Sequence, residues 1–218
     1  MAADPRHDIV TTGEYLIDHQ LAWGSTGNIS ARFDENSFFI SASGATLGGL
    51  STDTLALCRI TGEPLVSSIK PSKEHRVHAA MYRSDPKAKA IIHTSPPYTS
   101  LIAAAGPSMQ LPIGLFIESA ALLQKIRWIP FLVPGSDELV EAVGSAARES
   151  DVIMMQNHGV IVSADTMRKA LNKVDTLEFL CRMIITAKAA NIELAPMSEE
   201  CMRKLLSESA YRNLTYGG

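Results

Sequence analysis

Glu74, His93 and His158 are the residues of this sequence best suited to hold a metal ion together. Glu74 closes the run Lys70-Pro71-Ser72-Lys73-Glu74, His93 lies in Ile91-Ile92-His93-Thr94-Ser95, and His158 in Gln156-Asn157-His158-Gly159. Each stands beside apolar strand sequence or tight-turn sequence, the settings that hold a ligand still. One carboxylate and two imidazoles suit a divalent transition metal that keeps open positions for a substrate. A lone histidine beside a strand is more often a core residue. The order and context of all three point to a shared site.

Three further segments could hold an anion. Gly24-Ser25-Thr26-Gly27-Asn28 joins helix-like to strand-like sequence, Ser41-Ala42-Ser43-Gly44 ends a strand, and Pro71-Ser72-Lys73 opens a helix. Such segments offer free backbone N–H groups and hydroxyls, and a helix N-terminus adds a favourable dipole. Together they could cradle a phosphate, with Lys73 as counter-charge. Each alone reads as a turn, and spacing does not show whether they converge.

The elements that must position these residues are legible from periodicity. Residues 8–23 suit an amphipathic helix stopped by Gly24. Residues 28–32 and 38–41 flank a turn, and 55–60 and 64–68 form a second hairpin. A helix is expected over 74–82, a buried strand over 88–93 and a helix near 98–105. Strands follow at 131–133, 152–155 and 160–163, with a helix over 137–148. Two helices close the chain, at 165–190 and 198–210. Residues 111–121 are apolar and read either as a core strand or as part of a subunit contact. Hairpins mixed with helices imply one domain over 1–218, of mixed α/β (α+β) class: a three-layer sandwich with a largely antiparallel central sheet flanked by helices.

Bulk composition narrows the function. Of the 218 residues, 46% are hydrophobic, enough to bury a substantial core, and the formal charge is −3 with no basic stripe. Nucleic acid is not an expected partner. The longest apolar stretches are broken by Glu118, Lys125 or Arg127, short of a membrane span, so no membrane partner is expected either. The first ten residues show no apolar run of signal-peptide length. Cys58, Cys181 and Cys201 form no CxxC pair. They read as small buried hydrophobes with free thiols, in keeping with a cytoplasmic location.

Taken as a set, the motifs resemble those of the class II aldolase and L-ribulose-5-phosphate 4-epimerase family, most nearly its L-fuculose-1-phosphate aldolase branch. They are Gly27-Asn28-Ile29-Ser30, Ala42-Ser43-Gly44, Pro71-Ser72-Lys73-Glu74, His93-Thr94-Ser95 and His158-Gly159, with a late Thr215-Tyr216-Gly217. The resemblance implies a mixed α/β sandwich and a homotetramer with active sites shared between subunits. It implies a divalent metal, zinc first, with manganese or cobalt as alternatives, held by Glu74, His93 and His158; two histidines and one carboxylate also suit iron. It gives Glu74 a second role as general base. Gly27, Asn28, Ser43, Gly44 and Ser72, with Lys73, would bind the phosphate of a phosphorylated substrate. Tyr216 matches a C-terminal tyrosine that closes over the site.

Two departures bear on the reaction. Ser95 stands where the family has another histidine ligand, leaving two imidazoles and one carboxylate. Phe116 occupies the position of a tyrosine that acts as the acid from a neighbouring subunit; Glu118, two residues on, is the candidate substitute. The leading expectation is cleavage of a phosphorylated ketose through a metal-stabilised enediolate. The main alternative is decarboxylation of a hydroxy- or oxo-acid at the same electron sink. An epimerase and a non-catalytic homologue resembling the adducin head domain are further alternatives.

Overall fold

Asp4 starts the first helix by accepting the N–H of Arg6, and Pro5 fits the first turn, where its missing N–H is not needed. The computed structural model describes residues 4–65 and 68–208. Helix α1 (Pro5–Asp18) buries Ile9, Thr12, Gly13 and Leu16 along one side. It ends before Gly24, because Gln20 turns the chain at a φ of 58°.

Seven strands form one sheet: β1 (Asn28–Arg32), β2 (Ser37–Ser41), β3 (Leu55–Arg59), β4 (Ala90–Thr94), β5 (Ile126–Ile129), β6 (Val152–Met155) and β7 (Gly159–Ala164). Their spatial order is β3-β2-β1-β4-β7-β6-β5. Every neighbouring pair is antiparallel except β5 with β6. Successive side chains point to opposite faces, so a strand covered on both sides reads as a continuous apolar run. Ile92, Met154, Val160 and Val162 pack with residues of α1, α3 (Pro97–Ala105), α4 (Ile117–Leu122) and α6 (Met167–Ala189). Phe38, Ile40, Ile91, Ile153 and Ile161 face the other way, against α2 (His75–Ser84) and α5 (Asp137–Ala146). The result is the helix–sheet–helix sandwich expected from the sequence. By this alternation His93 shares the α2 face with Ile91. No helix of the described residues is long and apolar enough to cross a membrane.

Four expectations need correction. The second hairpin has only one true arm: β3 pairs with β2, while the return makes an isolated bridge between Cys58 and Pro64. Residues 131–133 are not a strand. The strand is β5, ended by Pro130; Phe131 and Val133 are exposed between Pro130 and Pro134. Residues 111–121 form no strand either. Pro112 lacks an N–H for a ladder, and the segment folds as a short 3-10 turn, Ile113–Leu115, followed by α4. The Ser119 hydroxyl holds that corner by donating to the carbonyls of Ile113 and Phe116. Lastly, Cys58 and Cys181 are buried but Cys201 is exposed, because helix α7 (Glu199–Ser207) has no buried residue.

Candidate metal centre

Three elements deliver the cluster. Glu74 is the N-cap residue of α2, His93 lies near the end of β4, and His158 occupies the turn from β6 to β7. β4 pairs with both β1 and β7, which places Asn28 beside His93 and Ile161 on its other side. Two glycines let the flanking chains press against the end of β4. Gly27 has a φ of +82°, and a Cβ there would sit 2.6 Å from the His93 carbonyl oxygen. Gly159 has a φ of +140°, and a Cβ there would sit 2.6 Å from the Thr94 carbonyl oxygen and 2.8 Å from Ser95 Oγ. No side chain fits at either place, and at these φ values none is favoured.

Glu74, His93 and His158 each offer a ligand atom, and these atoms lie within 4.8 Å of one another. Glu74 Oε2 is 3.3 Å from His93 Nε2, and Glu74 Oε1 is 3.3 Å from His158 Nε2. The two imidazole rings meet edge to face with centroids 4.9 Å apart. His93 Nδ1–H donates to the Val160 carbonyl at 2.9 Å. In a neutral ring its Nε2 then carries a lone pair, which faces the lone pairs of Glu74 Oε2. A backbone partner on the far nitrogen is the usual way a ligand histidine is oriented.

Burial sets the charges. It lowers the His93 pKa, against the opposing pull of Glu74, so the ring is neutral at ordinary pH. Burial alone would raise Glu74, but His93, His158 and the Asn28 amide outweigh it and hold the carboxyl well below the usual range. An anionic carboxylate thus faces a neutral imidazole across a short gap, both of them buried. Glu74 Oε1 is buried with no hydrogen-bond partner. Two electron-rich atoms held face to face and a buried oxygen without a donor together fit a bound cation.

The expected anion segments converge at the same end of the sheet. β1 begins beside the end of β2, and the Ile29 N–H donates to Ser41 Oγ. Ala42 bridges Pro71, and the Ser43 N–H donates to the Lys70 carbonyl. Ser72 is buried, and its hydroxyl accepts from the Glu74 N–H at 3.3 Å. Gly44 and Lys73 are exposed at the rim. Asn28 plays a second part: its side-chain N–H donates to Glu74 Oε2 at 2.8 Å.

Among the described residues, Ser95 and Phe116 make contacts of their own. The Ser95 hydroxyl donates to the His158 carbonyl at 3.1 Å, so it braces the turn that carries His158. Glu118 is exposed on α4 and forms no hydrogen bond or ion pair with the cluster. Phe116 packs edge to face on Phe179. Tyr216 lies outside the described residues.

From the sequence, His78 reads as a structural histidine on the helix after Glu74 and not as a ligand; its partners were not foreseen. His78 is fully buried between Ser30 Oγ, 2.7 Å from Nδ1, and Asn28 Oδ1, 2.5 Å from Nε2. The signal was available: Glu74, His78 and Tyr82 are spaced four residues apart, one stripe of a helix. Burial pushes the His78 imidazole down from 6.5 to about 3. Its folded-state value therefore lies below its unfolded one. The stability gained by keeping it neutral is complete above about pH 6.5 and is lost as pH falls towards 3. Well inside that window each pH unit removes about 1.4 kcal/mol. Urea midpoints of metal-free protein should fall below pH 6.5, and the fall should be shallower in His78→Gln, which has no ring to protonate. An unchanged slope in that variant would contradict the assignment.

The family model described as class II aldolase and adducin N-terminal domain matches residues 7–185. A 3-oxo-tetronate 4-phosphate decarboxylase of Pectobacterium atrosepticum is 30% identical over 181 residues, covering 82% of this chain and 83% of that protein. An L-fuculose phosphate aldolase of Methanococcus vannielii is 28% identical over 168 residues, covering 77% and 88%. The crystal structure of a Klebsiella pneumoniae protein, YgbL, described only by class as an aldolase, epimerase or decarboxylase, superposes with a TM-score of 0.83. It is 28% identical, and the match covers 92% of this chain and 96% of that one.

Proposed function

The chain belongs to the class II aldolase and adducin N-terminal domain family, and we propose that it is a metal-dependent lyase that removes CO₂ from a phosphorylated oxo-acid. The observation that carries this reading is the buried Glu74 carboxylate, with Oε2 against His93 Nε2, Oε1 against His158 Nε2 and no donor on Oε1. Glu74, His93 and His158 would hold the ion, with zinc the first expectation for this ligand set. Bound there, a divalent cation supplies Lewis-acid stabilisation for the negative charge left on a substrate oxygen when a carbon–carbon bond breaks.

The chain's own residues do the rest. Glu74 lies where a carboxylate can take or return a proton once substrate is bound. The Ser43–Gly44 and Ser72–Lys73 segments, at the same end of the sheet, hold the substrate phosphate and orient the reacting carbons with binding energy remote from them. Burial of the cluster excludes most water from the charge that develops.

Decarboxylation is favoured over aldol cleavage by what the reaction demands. Loss of CO₂ needs an electron sink and then a proton returned to carbon. Both reactions return a proton to carbon, but retro-aldol cleavage also needs a base to strip a substrate hydroxyl, and Phe116 can neither take nor give a proton. The 3-oxo-tetronate 4-phosphate decarboxylase relative supports this order. The aldolase reading stands second, supported by the fuculose-phosphate aldolase relative. In either case we place the site in a homotetramer in the cytoplasm, where Glu118 of an adjoining copy and Tyr216 are the proposed proton donor and cover. A non-catalytic role is disfavoured, because drift has no reason to spare three dispersed ligands aimed at one point.

The test is product identification. Zinc- or manganese-loaded protein is incubated with 3-oxo-tetronate 4-phosphate and, separately, with phosphorylated ketoses. Release of CO₂ from the first is expected. Aldehyde release from a ketose phosphate, without CO₂ from the oxo-acid, would move the assignment to the aldolase reading.

A further inference from the structure

Glu74 ends a chain of five buried polar side chains, formed where two polar stripes meet. Helix α2 and its N-cap supply Glu74, His78 and Tyr82; strand β1 supplies Asn28 and Ser30, two residues apart on one face. The contacts alternate between them. Asn28 Nδ2 is 2.8 Å from Glu74 Oε2, and Asn28 Oδ1 is 2.5 Å from His78 Nε2. Ser30 Oγ is 2.7 Å from His78 Nδ1 and 2.8 Å from the Tyr82 hydroxyl. All five residues are buried.

The direction of every bond follows from one end. An ionised carboxylate only accepts, so Asn28 must turn its amide N–H to Glu74 and its carbonyl oxygen to His78. That oxygen only accepts, so His78 carries its proton on Nε2. In the neutral ring Nδ1 is then an acceptor, so Ser30 donates to it, and the Ser30 oxygen accepts from the Tyr82 hydroxyl. A flipped Asn28 amide would set oxygen against the carboxylate and N–H against N–H. One tautomer of one histidine therefore fixes the orientation of Asn28, and Asn28 fixes one of the two Glu74 oxygens.

We propose that His78 is a positioning residue of this site: acting through Asn28, it holds Glu74 Oε2 and leaves Oε1 as the oxygen free to bind or to move a proton. The two carboxylate oxygens are made unequal from behind. This rests on Glu74 being the working carboxylate, as proposed above. Ser30 and Tyr82 act one step further back, by keeping the proton on the correct ring nitrogen.

The test compares His78→Met, which removes the donor to Asn28, with His78→Gln, whose amide can restore it. Zinc affinity by competition with a chelator and melting temperature are measured for both, with kcat and KM where a substrate has been found. Loss of an outer partner of a ligand typically costs about 10–100-fold in affinity or activity. That loss is expected in His78→Met, falling on zinc affinity and kcat rather than on KM, with most of it recovered in His78→Gln. An unchanged zinc affinity in His78→Met overturns the proposal. So does an equal loss in both variants that follows their melting temperatures, the mark of a merely structural residue. Should either variant fail to fold, nitrogen NMR of the labelled parent decides: a proton on Nε2 of His78 is expected, and one on Nδ1 alone refutes the chain of donors. Full activity in Glu74→Gln would instead sink the proposed function, leaving the tautomer and zinc results to be judged on their own.

Discussion

Glu74→Gln is expected to lower kcat by about a hundredfold to ten-thousandfold, the range typical for loss of a general acid–base group. The substitution keeps the shape of the side chain and removes its charge. In the structure that charge lies 3.3 Å from Nε2 of His93 and 3.3 Å from Nε2 of His158. Either the amide oxygen or the amide N–H must then face His93 Nε2, and neither attracts a cation as a carboxylate does. Zinc affinity should fall with kcat. Stability should change little, because the amide can still meet Asn28 after a flip. A variant with more than a tenth of parental kcat would show that the base lies elsewhere.

A comparable loss is expected from a residue that does no chemistry. In Gly159→Ala the new methyl group lies 2.6 Å from the Thr94 carbonyl oxygen, a separation that real side chains do not show, on backbone at a φ of +140°. Backbone strain of this kind costs about 1–3 kcal/mol, and the clash adds to it. The neighbour is main chain and cannot swing away, so β7 must move off β4. That shift carries His158 out of position and pulls Val160 from His93 Nδ1. Destabilisation on the order of 3–5 kcal/mol is expected, which for a chain of this size lowers Tm by roughly 10 °C. Zinc affinity should fall as well. A variant that melts within about 2 °C of the parent, less than about 1 kcal/mol of change, with zinc affinity intact, would mean that the β6–β7 turn does not depend on this close approach.

Legibility in the sequence followed the physics of each segment. The central strands were readable because both faces are covered, which makes 90–92, 152–155 and 160–162 unbroken apolar runs. Strand β5 was not, since it lies at the edge: its Ile-Arg-Trp-Ile alternates weakly, with Arg127 exposed. The more apolar residues 131–133 drew the assignment instead. Residues 111–121 misled for a related reason. Apolar content argued for a strand, while Pro112 and the corner held by Ser119 decided otherwise. In the site, Glu74, His93 and His158 could be named because each interrupts an apolar or turn context, and the structure brings them within reach of one ion. The connection of His78 with Asn28, Ser30 and Tyr82 was not legible in the same way. Their meaning lies in the meeting of a helix stripe with a strand stripe, and no spacing within one segment reveals which stripes face each other.

The central claim is that Glu74, His93 and His158 hold one divalent cation. Zinc titration of metal-free protein against a competing chelator tests it most directly, with parent, His93→Ala and His158→Ala measured together. The parent is expected to bind one ion per chain, and both variants to bind it far more weakly with their folds retained. Stoichiometric binding that survives both substitutions, or no binding by a correctly folded parent, would contradict it.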